Sequence, residues 1–282
     1  MDKYALIGHP LGHSMSPLIH EKLFALSGIT DYSYELIDIA PEDLAKSRPL
    51  LEELSGFNIT IPHKTAIIPM ISEMADSARR YESVNCVRND EGAFTGYNTD
   101  CDGFLRSAEL LPLGGKALMI GCGGVGRMIA IEAALHGAAL TIAVLPSDVK
   151  TAQLLMAEIL AKCSEASVKI CLISDIEGEF DLLTNATPVG MFPKTDACVV
   201  SDEVIGNCLS FFDVIYNPKE TLLMKKARAL GKTAVGGTSM LVYQAVKAHE
   251  IWYGGQFRPE DISKIILEVE AEVDKMNEEA AK

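Results

Sequence analysis

A continuous apolar run, Ala117–Ile120, passes directly into Gly121-Cys122-Gly123-Gly124-Val125-Gly126. A run with no polar alternation reads as a parallel strand buried on both faces. The Ala- and Ile-rich segment Met128–His136, closed by Gly137, reads as the helix that follows. Strand, glycine loop and helix in this order fit the pattern G-x-G-x-x-G. In that pattern the glycines permit a tight turn, and backbone N–H groups at a helix N-terminus face a pyrophosphate. The bland alternative is a glycine-rich turn without a ligand.

The rest of the chain alternates short β-rich runs with longer helical ones, the signature of an α/β sheet with crossover helices. In the first third, strands are expected at Tyr4–Gly8, Tyr34–Ile39 and Phe57–Ile61, and helices from Ser16-Pro17 to Ser27 and over Pro41–Leu54. Asn89-Asp90-Glu91-Gly92 between Val84–Arg88 and Ala93–Tyr97 is a hairpin signal. Leu111–Lys116 reads as a linker. Beyond the glycine loop, strands are expected at Leu140–Leu145, Val168–Ile173, Asp181–Leu183, Phe211–Ile215 and Lys232–Val235. Helices are expected at Val149–Lys162 and Thr221–Leu230, then two more, Ser239–Trp252 and Pro259–Met276, with no strand after them. Being amphipathic, these last two must pack on something, and the first third is the candidate.

At 282 residues the chain has room for about two domains. A net charge of -14 argues against a nucleic-acid or anionic-membrane surface, though not against small anionic ligands. The start of the chain lacks the basic and apolar regions of a signal peptide, and no apolar run reaches about 18 residues. The seven cysteines are scattered without C-x-x-C, so neither a metal site nor a disulfide framework is expected. Free thiols suit a reducing compartment, and a cytoplasmic protein is expected.

Four further segments carry chemistry. In Gly56-Phe57-Asn58-Ile59-Thr60-Ile61-Pro62-His63-Lys64, Asn58 and Thr60 project from one face of a strand, with Lys64 at its mouth. A lysine in a cleft can serve in proton transfer; a solvated loop lysine is the ordinary reading. In Asn98-Thr99-Asp100, capping of the next helix alone would account for one Asp. Ser14-Met15-Ser16 sets two hydroxyls at a helix start, suited to a carboxylate, with Ser16 as a plain N-cap the alternative. Asn185-Ala186-Thr187-Pro188-Val189-Gly190-Met191 follows an apolar strand, where open α/β sheets bind ligands or simply turn.

Together these segments, with Asn85, Asp213-Val214-Ile215-Tyr216-Asn217-Pro218 and Gly237 through Gln244, resemble the shikimate dehydrogenase family over essentially the whole chain. The resemblance implies two α/β domains: a substrate-binding catalytic domain of residues 1–106 and 239–282, and a Rossmann-type nucleotide domain of residues 107–238. It implies NADP-linked reduction of 3-dehydroshikimate to shikimate in aromatic amino-acid biosynthesis. Lys64 and Asp100 would form the catalytic pair. Ser14, Ser16, Asn58, Thr60, Asn85, Tyr216 and Gln244 would bind substrate. Gly121, Gly123, Gly124, Val125, Gly126 and Arg127 would carry the cofactor, with Asp76, Ser147, Thr187, Val214 and Gly237 nearby. No metal is expected, and the protein would be a monomer or homodimer.

Two departures stand out. Glu82-Ser83-Val84-Asn85-Cys86 replaces the usual Gly-Ala-Val-Asn-Thr. Leu145-Pro146-Ser147 stands where NADP-dependent members carry Asn-Arg-Thr or Asn-Arg-Ser, so the arginine for the 2′-phosphate is missing. Lys150 or Arg127 is the candidate substitute, and NAD is the alternative cofactor. The competing functions are a quinate/shikimate dehydrogenase using NAD and a non-catalytic cofactor- or shikimate-sensing module.

Overall fold

The computed structural model describes residues 1–12 and 14–280. The chain divides into two compact units, Met1–Gly103 with Val242–Val269, and Phe104–Leu241 with Glu270–Lys282. The sequence reading assigned all of 239–282 to the first unit. Glu270–Lys282 groups with the second unit, where Asn277 bonds Asn217 and Asp274 pairs with Lys219.

The first unit runs β1 (Asp2–Gly8), α1 (Ser16–Leu26), β2 (Tyr32–Asp38), α2 (Arg48–Leu51), β3 (Gly56–Ile59), α3 (His63–Ala66), β4 (Glu73–Met74), α4 (Asp76–Tyr81), β5 (Cys86–Asp90), β6 (Ala93–Tyr97) and the start of α5 (Asp100–Ser107). Its sheet order is β2-β1-β3-β5-β6-β4. β1 lies parallel to β2 and β3, while β5 runs antiparallel to β3 and β6. All of β3 is buried, so Asn58 in its middle must find polar partners inside the protein.

The single helix expected over Pro41–Leu54 is broken into turns at Pro41–Asp43 and Ala45–Ser47 before α2. Pro49 supplies no N–H, and the Ser47 hydroxyl donates to Leu44 O at 2.7 Å. The short β4 and α4 carry too few residues to show a period.

α10 (Gly237–Tyr253) supplies Val242–Tyr253 to this unit. Trp252 stacks on Tyr4 and donates Nε1–H to Val87 O at 3.0 Å. A Cβ on Gly56 would lie 2.4 Å from Trp252 Nε1, so that position excludes any side chain. His249 faces buried His20, Nε2 to Nδ1 at 2.8 Å, and His249 Nδ1 meets the Tyr253 hydroxyl. One shared proton joins the two rings; a second would set N–H against N–H.

Burial holds both rings neutral: the His20 pKa is pushed well below its usual range, with His249 adding to the effect, and that of His249 falls to about 3. Unfolded, both would titrate near pH ~6.5. Below that the unfolded chain binds more protons, so stability is present above ~6.5 and is lost as pH falls toward the folded values. Each ring contributes a slope of up to about 1.4 kcal/mol per pH unit. Tm should therefore drop between about pH 7.5 and about pH 5.5, and a flat Tm over that range would contradict a neutral pair.

The second unit holds the rest of α5, β7 (Lys116–Ile120), α6 (Gly124–Leu135), β8 (Ala139–Val144), α7 (Val149–Lys162), β9 (Ser167–Leu172), β10 (Phe180–Asn185), α8 (Asp202–Gly206), β11 (Cys208–Asp213), α9 (Leu222–Ala229) and β12 (Thr233–Gly236). To it belong also the end of α11 (Pro259–Ala280) and the start of α10. The sheet is wholly parallel, ordered β12-β11-β10-β7-β8-β9. Direction of winding reverses between β7 and β10, the switch point where doubly wound sheets bind ligands. α6 begins four residues earlier than Met128, because Gly124 and Gly126 belong to its first turn.

Candidate active site

Within the first unit a polar chain runs from the start of α1 to α5. Ser14 Oγ accepts from Ser16 N at 3.2 Å. Ser16 is not the N-cap: Met15 holds that position without a side-chain bond, and Ser16 is the first helical residue, buried. The Ser16 side chain lies beside the Tyr34 hydroxyl and favours its ionised form. Tyr34 donates in turn to Asn58 Oδ1 at 3.0 Å, which directs Asn58 Nδ2 toward Asn85 O at 3.4 Å. Burial pushes the Tyr34 phenol well above its usual range, Cys86 adds to this, and Ser16 opposes it, so Tyr34 stays a neutral donor.

Asn85, buried, donates Nδ2 to Asp100 Oδ1 at 2.8 Å and accepts Thr99 N at 2.6 Å. Asp100 Oδ2 accepts from Lys64 Nζ at 2.6 Å. Lys64 is 25% exposed and Asp100 17%, so the pair sits at the rim of the protein and not inside it. α3 is anchored by buried His63, whose Nε2 meets Ile39 O at 2.6 Å, and by Lys64 O, which accepts Val84 N at 2.8 Å. Lys64 therefore extends from a fixed backbone. Asn98 Oδ1 accepts Asp100 N at 3.1 Å and Asn98 Nδ2 holds Ser83 O at 3.2 Å, which fixes the start of α5.

Thr99 Oγ1 reaches Gln244 Oε1 at 3.4 Å. Thr60 lies against Gly8, where a Cβ would approach its Cγ2 to 2.4 Å. Asp76 stands apart: its side chain is exposed and pairs with Arg79. Tyr34 and the framing role of Asn98 were missed by sequence reasoning. A tyrosine in an alternating strand signals only that its hydroxyl needs some partner.

In the second unit, Gly121 has φ +90°, and a Cβ there would lie 2.8 Å from Thr187 Cγ2. A Cβ on Gly126 would lie 2.9 Å from Gly121 O, so the first turn of α6 packs directly on the loop. Gly123 and Gly124 face open space. The twelve-residue α6 thus presents its N-terminal N–H groups to an uncovered cradle, which fits a dinucleotide pyrophosphate. Thr187 is fixed by Asn185, whose Oδ1 accepts its hydroxyl at 2.7 Å. Val214 O leaves no room for a side chain on Gly237, a Cβ lying 2.2 Å away.

The Arg127 side chain does not face the cradle as a spare cation. Its Nε and Nη2 both donate to Glu158 at 2.6 Å. Ser147 is exposed and bonds Asp148 at 3.3 Å.

The sequence profile of the shikimate dehydrogenase substrate binding domain matches residues 6–87. Over 261 residues the chain is 37% identical to the shikimate dehydrogenase (NADP(+)) of Caldanaerobacter subterraneus, covering 90% of this chain and 92% of that one. The chain belongs to the shikimate dehydrogenase family. Among solved structures, shikimate 5-dehydrogenase from Listeria monocytogenes in complex with shikimate and NAD has a TM-score of 0.82 at 30% identity, covering 94% of this chain and 96% of that one. The Thermus thermophilus enzyme in complex with NADP(H) and shikimate has a TM-score of 0.83 at 28% identity, covering 95% and 100%. The matched stretch, residues 6–87, contains Ser14, Ser16, Tyr34, Asn58, Lys64 and Asn85 of the polar chain.

Proposed function

We propose that this chain is a shikimate dehydrogenase, reducing 3-dehydroshikimate to shikimate with NADP, and that it works in the cytoplasm as a monomer or homodimer. The observation that carries the reading is the Lys64–Asp100 pair at the end of a polar chain that begins at Ser14 and Ser16. No described helix is long and apolar enough to cross a membrane.

A nicotinamide dinucleotide on the Gly121–Gly126 cradle supplies the hydride when bound. Hydride arrival at a carbonyl carbon leaves negative charge on its oxygen. The Lys64 ammonium stabilises that oxygen and donates the proton from Nζ. Asp100 Oδ2 keeps Nζ in place, and Asn85 keeps Asp100 in place, so the donor needs no reorganisation. In the oxidative direction the same groups take the hydroxyl proton.

Ser14 and Ser16 bind the substrate carboxylate, with Asn58, Thr60, Asn85, Gln244 and Tyr216 on the carboxylate and ring hydroxyls. Because Ser16 caps nothing, Ser16→Ala should raise KM for shikimate by roughly tenfold or more, the scale of one hydrogen bond to a charged group. Tm should hardly move, and a lowered Tm with unchanged KM would restrict Ser16 to a structural part. The test of the whole reading is an initial-rate assay with shikimate or quinate and either dinucleotide, where shikimate with NADP is expected to be the productive pair. Shikimate binding in calorimetry without turnover on any pair would mean a sensing module instead.

A further inference from the structure

The segment after β11 is pinned at both ends by one buried carboxylate. Asp213 accepts from Asn185 Nδ2 at 3.1 Å, Ile215 N at 3.1 Å and Thr221 Oγ1 at 2.7 Å. Between those points lies Tyr216-Asn217-Pro218-Lys219, which Asp213 does not reach. Another element holds it. Asn277, near the end of α11, donates Nδ2 to Asn217 Oδ1 at 2.9 Å, and Asp274 pairs with Lys219. Residues three apart share one helix face, so α11 presents both groups to the same loop. Asn217 O also accepts Phe192 N at 3.0 Å, which ties this loop to the one that leaves β10 through Thr187.

These contacts do more than packing requires. α11 could bury its apolar stripe without bonding a loop side chain at either position. The polar bonds instead hold the side chains of Asn217 and Lys219, one and three residues beyond Tyr216, whose own ring is half-buried. A hydroxyl carried on a short loop keeps hydrogen-bond geometry only if the loop backbone is held, since a bond weakens steeply as its angle departs from linear.

We propose that the carboxyl-terminal turns of α11 are a positioning element for substrate: Asn277, supported by Asp274, fixes the Tyr216–Lys219 loop and through it the Tyr216 hydroxyl on shikimate. This rests on the reading of Tyr216 as a substrate-binding residue under the proposed function. The Lys64–Asp100 pair does not depend on α11, so the effect belongs in substrate affinity and not in the proton-transfer step.

The experiment compares Tyr216→Phe, Asn277→Ala and the double variant in shikimate oxidation, with Tm and shikimate calorimetry on each. Asn277→Ala should raise KM and Kd for shikimate by roughly 3- to 10-fold, the scale of one neutral hydrogen bond, with kcat nearly unchanged. The double variant should bind shikimate no more weakly than Tyr216→Phe alone, because both lesions remove one interaction. Equal affinity of Asn277→Ala and the unmodified protein, or multiplicative effects in the double variant, would overturn the positioning role while leaving Tyr216 on the substrate. If Tyr216→Phe itself binds shikimate normally, the substrate reading of Tyr216 fails and the positioning role fails with it.

Discussion

Lys64→Ala should lower kcat by roughly 10²–10⁴, the range for loss of a general acid–base group, with little change in Tm. The side chain is partly exposed and its backbone is fixed independently by His63 and Val84, so removing the ammonium leaves no cavity in a core. What it leaves is an Asp100 carboxylate with one partner fewer, still held by Asn85 Nδ2 at 2.8 Å. Asp100→Asn should also slow turnover, because a neutral amide no longer holds the Lys64 ammonium electrostatically. Adding Asp100→Asn to Lys64→Ala should then cost little more, since groups that act as a unit are strongly non-additive. Measured kcat values that multiply would separate the two roles. A Lys64→Ala enzyme with near-normal kcat would remove Lys64 from the chemistry altogether.

The parts of this molecule that sequence made legible are those in which local chemistry and global fold agree. Ala117–Ile120 and the glycines after it could be read because a buried parallel strand and a tight turn each restrict residue type. The hairpin at Asn89–Gly92 is another case, with Glu91 and Gly92 both at positive φ. The segment Pro41–Leu54 misled for a physical reason. Its composition favours helix, but Arg48 turns away to bond Met70 O and Gly92 O, and tertiary contacts of that kind have no sequence signature. Ser16 misled differently, since Ser before Pro is a good cap signal and only the backbone shows Met15 in that place. Tyr34 and Asn277 were invisible because each acts on a partner distant in sequence, 24 and 60 residues away.

Discrimination between NADP and NAD should be weak, below about 50-fold in kcat/KM. An arginine on a 2′-phosphate makes a charge-assisted, often bidentate pair worth about 1.5–3 kcal/mol, or roughly 10- to 150-fold. Here the carboxyl end of β8 offers Leu145, 55% exposed, and then a turn over Pro146–Asp148. Arg127 is a poorer substitute, because its charge is already paired with the Glu158 carboxylate through Nε and Nη2. Lys150, exposed in the first turn of α7, has no ion-pair partner among the described residues, but a lysine meets phosphate as a point charge without the guanidinium fork. No acid stands at position 145 to repel the phosphate either, so NADP should keep a modest advantage. Pro146→Arg should enlarge it. The turn there is closed by Asp148 N to Leu145 O at 2.9 Å, a bond in which Pro146 takes no part, so the backbone can accept the change. NADPH affinity should then rise by about tenfold while NADH affinity stays near its starting value, read by direct titration of each dinucleotide. A native preference above about a thousandfold would exceed what this loop can supply. The cation responsible would have to be Lys150, and Lys150→Ala would then abolish it.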